Sequence, residues 1–161
     1  MKTKLALASA FAALCIGGMA FAELPPEEAF VGSVGLEYTE DQVTQIYGEP
    51  TSVTPVKHTP AVNGYTKSVT YGDSVYFYLR SDEENGPFYV YLIHITANNG
   101  FETPRGIHVK STMQDVYRTY GRPDYSVPSK TSSYVAYKTR MGKLVFHHKD
   151  GIVTRIAIGW E

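Results

Sequence analysis

The chain has 161 residues, with 15 Lys and Arg, 16 Asp and Glu, 13 Tyr and a single Cys. That length holds one medium domain or two very small ones. A slightly acidic balance argues against a general nucleic-acid binder, which carries a basic excess.

Residues 1–22 read as a secretory signal peptide and are left out of fold reasoning. Lys2 and Lys4 supply the positive start, a short apolar stretch follows, and Ala20-Phe21-Ala22 is an A-x-A cleavage site. The apolar stretch is too short to favour a permanent span, and no later segment approaches one. Cys15 lies inside this leader, and Leu14 before it does not suit a lipoprotein site. Cleavage therefore predicts a mature chain without cysteine, more acidic for the loss of two lysines. Such a chain has no disulfides, Cys nucleophiles, zinc–thiolate sites or thiol redox chemistry. The expected location is exported, periplasmic or extracellular, with no stable membrane insertion.

Residues 23–34 form a Pro- and Glu-bearing lead-in, in which Phe30-Val31 and Val34 suggest a short edge strand. Two similar units follow, at 35–100 and 104–161, joined by a short turn-rich stretch. The first opens Gly-Leu-Glu-Tyr-Thr-Glu-Asp-Gln-Val-Thr-Gln-Ile-Tyr-Gly-Glu-Pro from Gly35. The second opens Gly-Ile-His-Val-Lys-Ser-Thr-Met-Gln-Asp-Val-Tyr-Arg-Thr-Tyr-Gly-Arg-Pro from Gly106. Each begins with a helix start signal. Thr39 with Gln42 makes a capping box; Ser111/Gln114 and Thr112/Asp115 both fit one in the second unit. Val43, Ile46 and Tyr47, and Met113, Val116, Tyr117 and Tyr120, fall on one helical face. Gly48 and Gly121 are placed for a left-handed helix stop, with Pro50 and Pro123 barring continuation.

Strands follow each helix. The first unit offers Tyr65–Tyr71, a Gly72-Asp73 turn, Ser74–Arg80, an Asp82-Glu83-Glu84-Asn85-Gly86 loop and Phe88–Thr96. The second offers Ser133–Thr139, a Met141-Gly142 turn, Lys143–His148, a Lys149-Asp150-Gly151 turn and Ile152–Trp160. Thr51–Gly64, with three prolines, reads as a long surface loop of the kind that often carries function. The predicted fold class is α+β: two tandem repeats, each a short helical layer packed on an antiparallel β-meander.

The pattern Gly-Ile-x-Val-x-Ser-Thr-x-x-Asp-Val-x-x-x-Tyr-Gly-x-Pro, followed by three strands, resembles the SmpA/OmlA (BamE-like) and β-lactamase-inhibitor-protein-like superfamily. The resemblance implies a two-layer unit duplicated in tandem and a role in binding other proteins in the cell envelope or outside the cell. Two features depart from it. BamE-like proteins carry a lipobox and the inhibitor proteins carry disulfides; this chain has neither.

A two-layer unit leaves one sheet face open. Assigning Val75, Phe77 and Leu79 to the core puts Tyr76, Tyr78 and Arg80 on the open face, with His147 and Arg155; Tyr89 and Tyr91 join them. These seven are the candidate binding residues, because Tyr and Arg dominate protein-binding hot spots. Core or inter-repeat packing of the tyrosines is the competing reading. A strict two-residue turn at Gly72-Asp73 would set Val69 opposite Tyr76 and mix both faces.

No cofactor or metal is expected. His147 and His148 point to opposite faces, and His58, His94 and His108 lack ligand spacing. Gly-x-Ser-x-Gly and phosphate loops are absent, and no catalytic residue is singled out. The expected function is a non-enzymatic binding module whose partner is another envelope or extracellular protein. The alternative is a small-ligand or cell-wall-fragment binder using the inter-repeat groove and the 51–64 loop. An enzyme using Asp or His has no constellation in its favour.

Overall fold

The structure is a computed structural model that describes residues 23–160; the expected signal peptide, with Cys15, lies outside the described residues. It is an α+β arrangement, mostly antiparallel sheet with two α-helices. No helix among the described residues is long and apolar enough to cross a membrane.

A 3-10 turn at Pro26–Ala29 leads into a hairpin of β1 (Phe30–Val31) and β2 (Val34–Gly35), which stands apart from the main sheet. Phe30-Val31 is therefore no edge strand of that sheet. Next comes α1 (Glu40–Tyr47), then β3 (Ser52–Val53), β4 (Lys57–Thr59), β5 (Gly64–Tyr71), β6 (Val75–Ser81) and β7 (Tyr89–Ile95). The remainder is α2 (Met113–Tyr120), β8 (Tyr125–Val127), β9 (Ser133–Thr139), β10 (Gly142–Lys149) and β11 (Ile152–Gly159). The main sheet runs β3-β5-β6-β7-β11-β10-β9-β8, with β4 also on β5. Thr51–Gly64 is thus more than a loop: β3 and β4 run along the outer edge of β5.

The two helices start alike. The Gln42 amide donates to Thr39 Oγ1 at 3.2 Å, and the Thr39 amide donates to Gln42 Oε1 at 2.9 Å. Thr112 and Asp115 repeat this box at 3.1 and 3.3 Å. Ser111 is excluded as the cap because its hydroxyl accepts from the His108 amide instead. Two residues before each cap, Glu37 and Lys110 have φ of 66° and 82°. Both helices stop at a glycine, Gly48 at φ 77°, ψ −161° and Gly121 at φ 75°, ψ −148°. This is not the expected left-handed stop. The extended ψ belongs to a region essentially confined to glycine and throws the chain out straight toward Pro50 and Pro123. The apolar stripes are also narrower than expected. Ile46 and Tyr117 are exposed, at 43% and 44%, while Val43, Met113, Val116 and Tyr120 are buried.

The register of the sheet decides its faces. Tyr71 pairs with Val75, so the first turn spans three residues, Gly72–Ser74. Val69 then opposes Phe77 and Thr70 opposes Tyr76, which separates apolar from polar cleanly. The second hairpin turns on Arg140-Met141, since Gly142 already pairs with Thr139. Two β-bulges reset the alternation. One, at Tyr91 in β7, sends Val90 and Ile93 to the same side. The other, at Thr154 in β11, does the same for Val153 and Ile156 and leaves Ile152 exposed rather than aligned with Ile156.

Phe77, Leu79, Ile93, Ile95, Leu144, Phe146, Ile156 and Ile158 are fully buried under the helices, each worth about 2 kcal/mol in transfer terms. Each helix adds an aromatic group to this layer. Tyr47 packs on Tyr71 and Phe77, at 5.4 and 5.9 Å between ring centroids; Tyr120 packs on Tyr137 and Phe146, at 5.4 and 5.5 Å. Tyr71 donates to the Gly48 carbonyl and Tyr137 to the Gly121 carbonyl, each at 2.9 Å, tying a strand to each helix stop. The helix tyrosines also hold the lead-in. Tyr47 donates to the Gly32 carbonyl. The Tyr120 hydroxyl lies 2.8 Å from Glu28 Oε2 and 2.8 Å from Thr103 Oγ1, and Arg105 Nε reaches Glu28 Oε1 at 2.5 Å.

Burial pushes the Tyr47 hydroxyl up to about 12, helped by neighbouring Tyr71, and raises Tyr120 and Tyr137 further. A tyrosine whose folded value is raised keeps its proton in the fold and loses it on unfolding above about pH 10. Its contribution is complete below pH 10 and is lost as pH climbs through the folded value. Tyrosinate absorbance and circular dichroism followed together will therefore show Tyr47, Tyr120 and Tyr137 ionising only as the structure melts. Ionisation of these three near pH 10 in a still-folded protein would contradict this.

Candidate functional site

The helices and the lead-in share one face of the sheet, and the strand alternation sends a second set of side chains to the other. On β6, Phe77 and Leu79 point into the core, so Tyr76, Tyr78 and Arg80 point away from it. On β7, Tyr91, Leu92 and His94 share that outer face; Leu92 and His94 pair with Tyr78 and Tyr76. On β10 and β11, His147 and Arg155 are direct cross-strand partners. Six of the seven candidate residues thus occupy the outer face by strand alternation, and Tyr89 pairs with Arg80 at its end.

They fall into three groups. Tyr76, Tyr78 and Tyr91 cover the middle of the face, half-buried; Tyr78 packs edge-on against His94 at 5.0 Å, and Tyr76 donates to the Asp73 carbonyl at 2.9 Å. Burial, followed by the neighbouring Tyr78, raises the Tyr91 hydroxyl. His147 and Arg155 form the second group. Arg155 Nη2 donates to His147 Nε2 at 2.7 Å, and the His147 ring packs on Tyr134 at 5.4 Å. Arg80 and Tyr89 stand apart, lining a cleft with Glu37, Asp82 and Glu83.

Several residues of this face were not picked out from the sequence. Ala136, Val145 and Ala157 form a second small apolar cluster, 0–3% exposed although no helix among the described residues covers them, with Leu92 and Tyr134 against it. Tyr125, Lys138 and Lys143 gather beside it, both ammonium groups lying over the Tyr125 ring at 5.6 and 5.5 Å. The available signal was the alternation of Tyr134, Ala136 and Lys138 with Val135, Tyr137 and Thr139 in β9. It is weak because Ala and Tyr suit either face.

Two clefts open on this side. One of about 200 Å³ is lined by Tyr125, Val127, Tyr134, Ala136, Lys143, Val145 and His147. The other, of about 480 Å³, lies between Tyr78 and Tyr91 and the segment carrying Thr54, Pro55 and Lys57. Between the two halves of the sheet there is no groove: β7 and β11 are joined by a continuous antiparallel ladder, Ile95 to Ile156 through Leu92 to Gly159. Among the described residues, no three His, Cys, Asp or Glu are placed to hold a metal ion. His148 is depressed by burial first and by adjacent His147 second.

No family model matches the chain, and neither the curated proteins nor the solved structures give a significant match.

Proposed function

We propose that this protein is an exported, non-enzymatic binding module that engages another protein of the envelope or cell exterior through its uncovered sheet face. One observation carries the reading. Both described α-helices pack on one side of the sheet, while the other side presents a contiguous half-buried field of Tyr, His and Arg over a small apolar floor. Aromatic side chains of this kind bury large area at low entropic cost and keep a polar tip, the composition of binding hot spots. The signal-like leader supports export. The proposal includes a tandem duplication, supported by equal capping boxes, equal glycine stops, equal aromatic groups under each helix and a sheet order that reads alike from both edges.

A photo-crosslinking residue placed at Tyr78 or Tyr134 should yield adducts of defined protein mass in the source cell; the same residue at exposed Tyr117, on the helical side, should not. Tyr134→Ala should weaken the captured complex about tenfold or more, as loss of a central aromatic anchor does. Equal labelling from both sides, or none, overturns the reading. A second reading, a small-ligand or wall-fragment binder, rests on the cleft between Tyr78, Tyr91 and the 51–64 segment. Adducts to sugar-bearing fragments in place of protein would select it.

A further inference from the structure

We infer that Asn85 is a site of spontaneous modification: the folded chain converts it to aspartate and isoaspartate while protecting two asparagines in the same sequence setting. The inference goes beyond the protein-binding reading and does not depend on it.

The sequence supplies the chemistry. Three of the four asparagines are followed by glycine: Asn63-Gly64, Asn85-Gly86 and Asn99-Gly100. In such a pair the glycine main-chain nitrogen attacks the asparagine Cγ. The N–Cγ bond forms, the Cγ–Nδ2 bond breaks, and Nδ2 leaves as ammonia with the proton that the glycine amide gives up. Water then opens the five-membered imide. Breaking the bond from the glycine nitrogen to Cγ gives aspartate; breaking its bond to the asparagine main-chain carbonyl carbon gives isoaspartate. Glycine suits the step because it has no Cβ to crowd the attacking nitrogen and its backbone turns freely. The step needs a side chain free to rotate, a glycine amide free to lose its proton and a backbone free to bend.

The fold meets these needs at one site of the three. Asn99 is tied at both ends of its amide: Nδ2 donates to Ser74 Oγ at 2.8 Å, and Oδ1 accepts from the Phe101 amide at 3.1 Å. Ser74 is itself buried, so this anchor is firm. Asn63 closes the 3-10 turn Pro60–Val62, its amide donating to the Pro60 carbonyl at 3.1 Å. Its attacking neighbour, Gly64, is buried at the start of β5 and paired with Thr59 of β4. On the other side the β6 main chain presses close, since a Cβ on Gly64 would lie 2.5 Å from the Ser81 carbonyl oxygen. Asn85 differs on each count. It is exposed in the turn between β6 and β7, and among the described residues its side chain makes no hydrogen bond. The Gly86 amide is held by one bond, to the Glu83 carbonyl at 3.2 Å, the long end of the normal range. A lone bond on an exposed turn opens at little cost.

The product alters the candidate face. Either form adds a carboxylate beside Asp82-Glu83-Glu84, in the loop whose Asp82 and Glu83 line the cleft with Arg80 and Tyr89. Isoaspartate also routes the main chain through Cβ, which breaks the Glu83–Gly86 turn.

The test holds the protein in mildly alkaline buffer, folded and, in parallel, unfolded in guanidinium chloride. Peptide mass mapping follows each site, and enzymatic methylation counts isoaspartate. Unfolded, the three sites should react at similar rates. Folded, Asn85 should keep most of its unfolded rate, while Asn63 and Asn99 slow about tenfold or more, because each must first open local structure. Ser74→Ala, with its thermal midpoint measured to show that it is folded, should speed Asn99 and leave Asn85 unchanged. In the unaltered protein the Arg80 and Tyr89 amide signals should move as the reaction proceeds, and in Asn85→Gln they should stay fixed. Slowing of Asn85 to the same degree as the other two, or folded rates at Asn63 or Asn99 equal to that at Asn85, overturns the inference. An Asn99 rate unmoved by Ser74→Ala overturns the account of its protection, and fixed Arg80 and Tyr89 signals overturn the link to the face.

Discussion

Gly159→Ala should lower the stability of this protein by about 3 kcal/mol or more, by the combined cost of forced close contact and unfavourable backbone conformation. Gly159 ends β11, where it pairs with Leu92 on one side and Lys143 on the other. A Cβ there would lie 2.3 Å from the Tyr91 carbonyl oxygen and 2.9 Å from Leu92 Cα, both main-chain atoms that cannot turn aside. Its φ of 142° also disfavours any side chain. Gly72 is the contrast: its φ is 63°, yet nothing lies within 4 Å of an added Cβ. Gly72→Ala should cost only about 1 kcal/mol, the conformational penalty alone. Urea unfolding midpoints rank the two. Comparable midpoints would show that the β7–β11 junction is more yielding than its close contacts imply.

Glu28→Ala should cost about 2–3 kcal/mol, below the usual 3–5 for breaking a buried pair because Arg105 is partly solvated. Glu28 is 2% exposed, and its carboxylate holds both the Arg105 guanidinium and the Tyr120 hydroxyl. Arg105 in turn lies over the Tyr120 ring at 5.0 Å. Removing the carboxylate leaves a tyrosine hydroxyl with Thr103 alone and frees the 3-10 turn from α2. Tyr120→Phe should cost less, about 1 kcal/mol, since it removes a donor without stranding a charge. The double variant should fall short of the sum, because both changes remove the same bond. Strict additivity would show that the lead-in is held by apolar contact and not by this network.

Much of the frame was legible because the local signals are strong. A hydroxyl three residues before Gln or Asp has one good use at a helix start, and Gly-x-Pro has one good use at its end. Strand ends followed from turn residues, and Ser133–Thr139 matches the expected span. Phase was harder to read. The bulges at Tyr91 and Thr154 each insert one residue, and nothing in Tyr-Val-Tyr-Leu-Ile-His-Ile or Ile-Val-Thr-Arg-Ile announces where. Ile152 consequently changes sides. The Gly72 turn hides a third residue because Ser74 looks like a strand start. Of the candidate site, the Tyr and Arg positions on β6 were readable by alternation. The Ala136–Val145–Ala157 floor was not, since it exists only when three strands are brought side by side.

The sheet order also sets the sequence of events in which the molecule becomes safe. β7 is the last strand of the first meander, and its partner is β11, the final strand described. Until that partner is made and docked, Tyr89–Ile95 is a seven-residue edge with no Lys, Arg, Asp or Glu to discourage a neighbour. Without Lys, Arg, Asp or Glu and rich in β-branched and aromatic residues, it is the type of segment that recruits foreign strands, with only the bulge at Tyr91 to interrupt it. The contact that covers it spans the whole second half of the chain, a distance that delays pairing. A nascent or truncated chain therefore risks aggregation through this one strand, and docking of β11 ends that exposure.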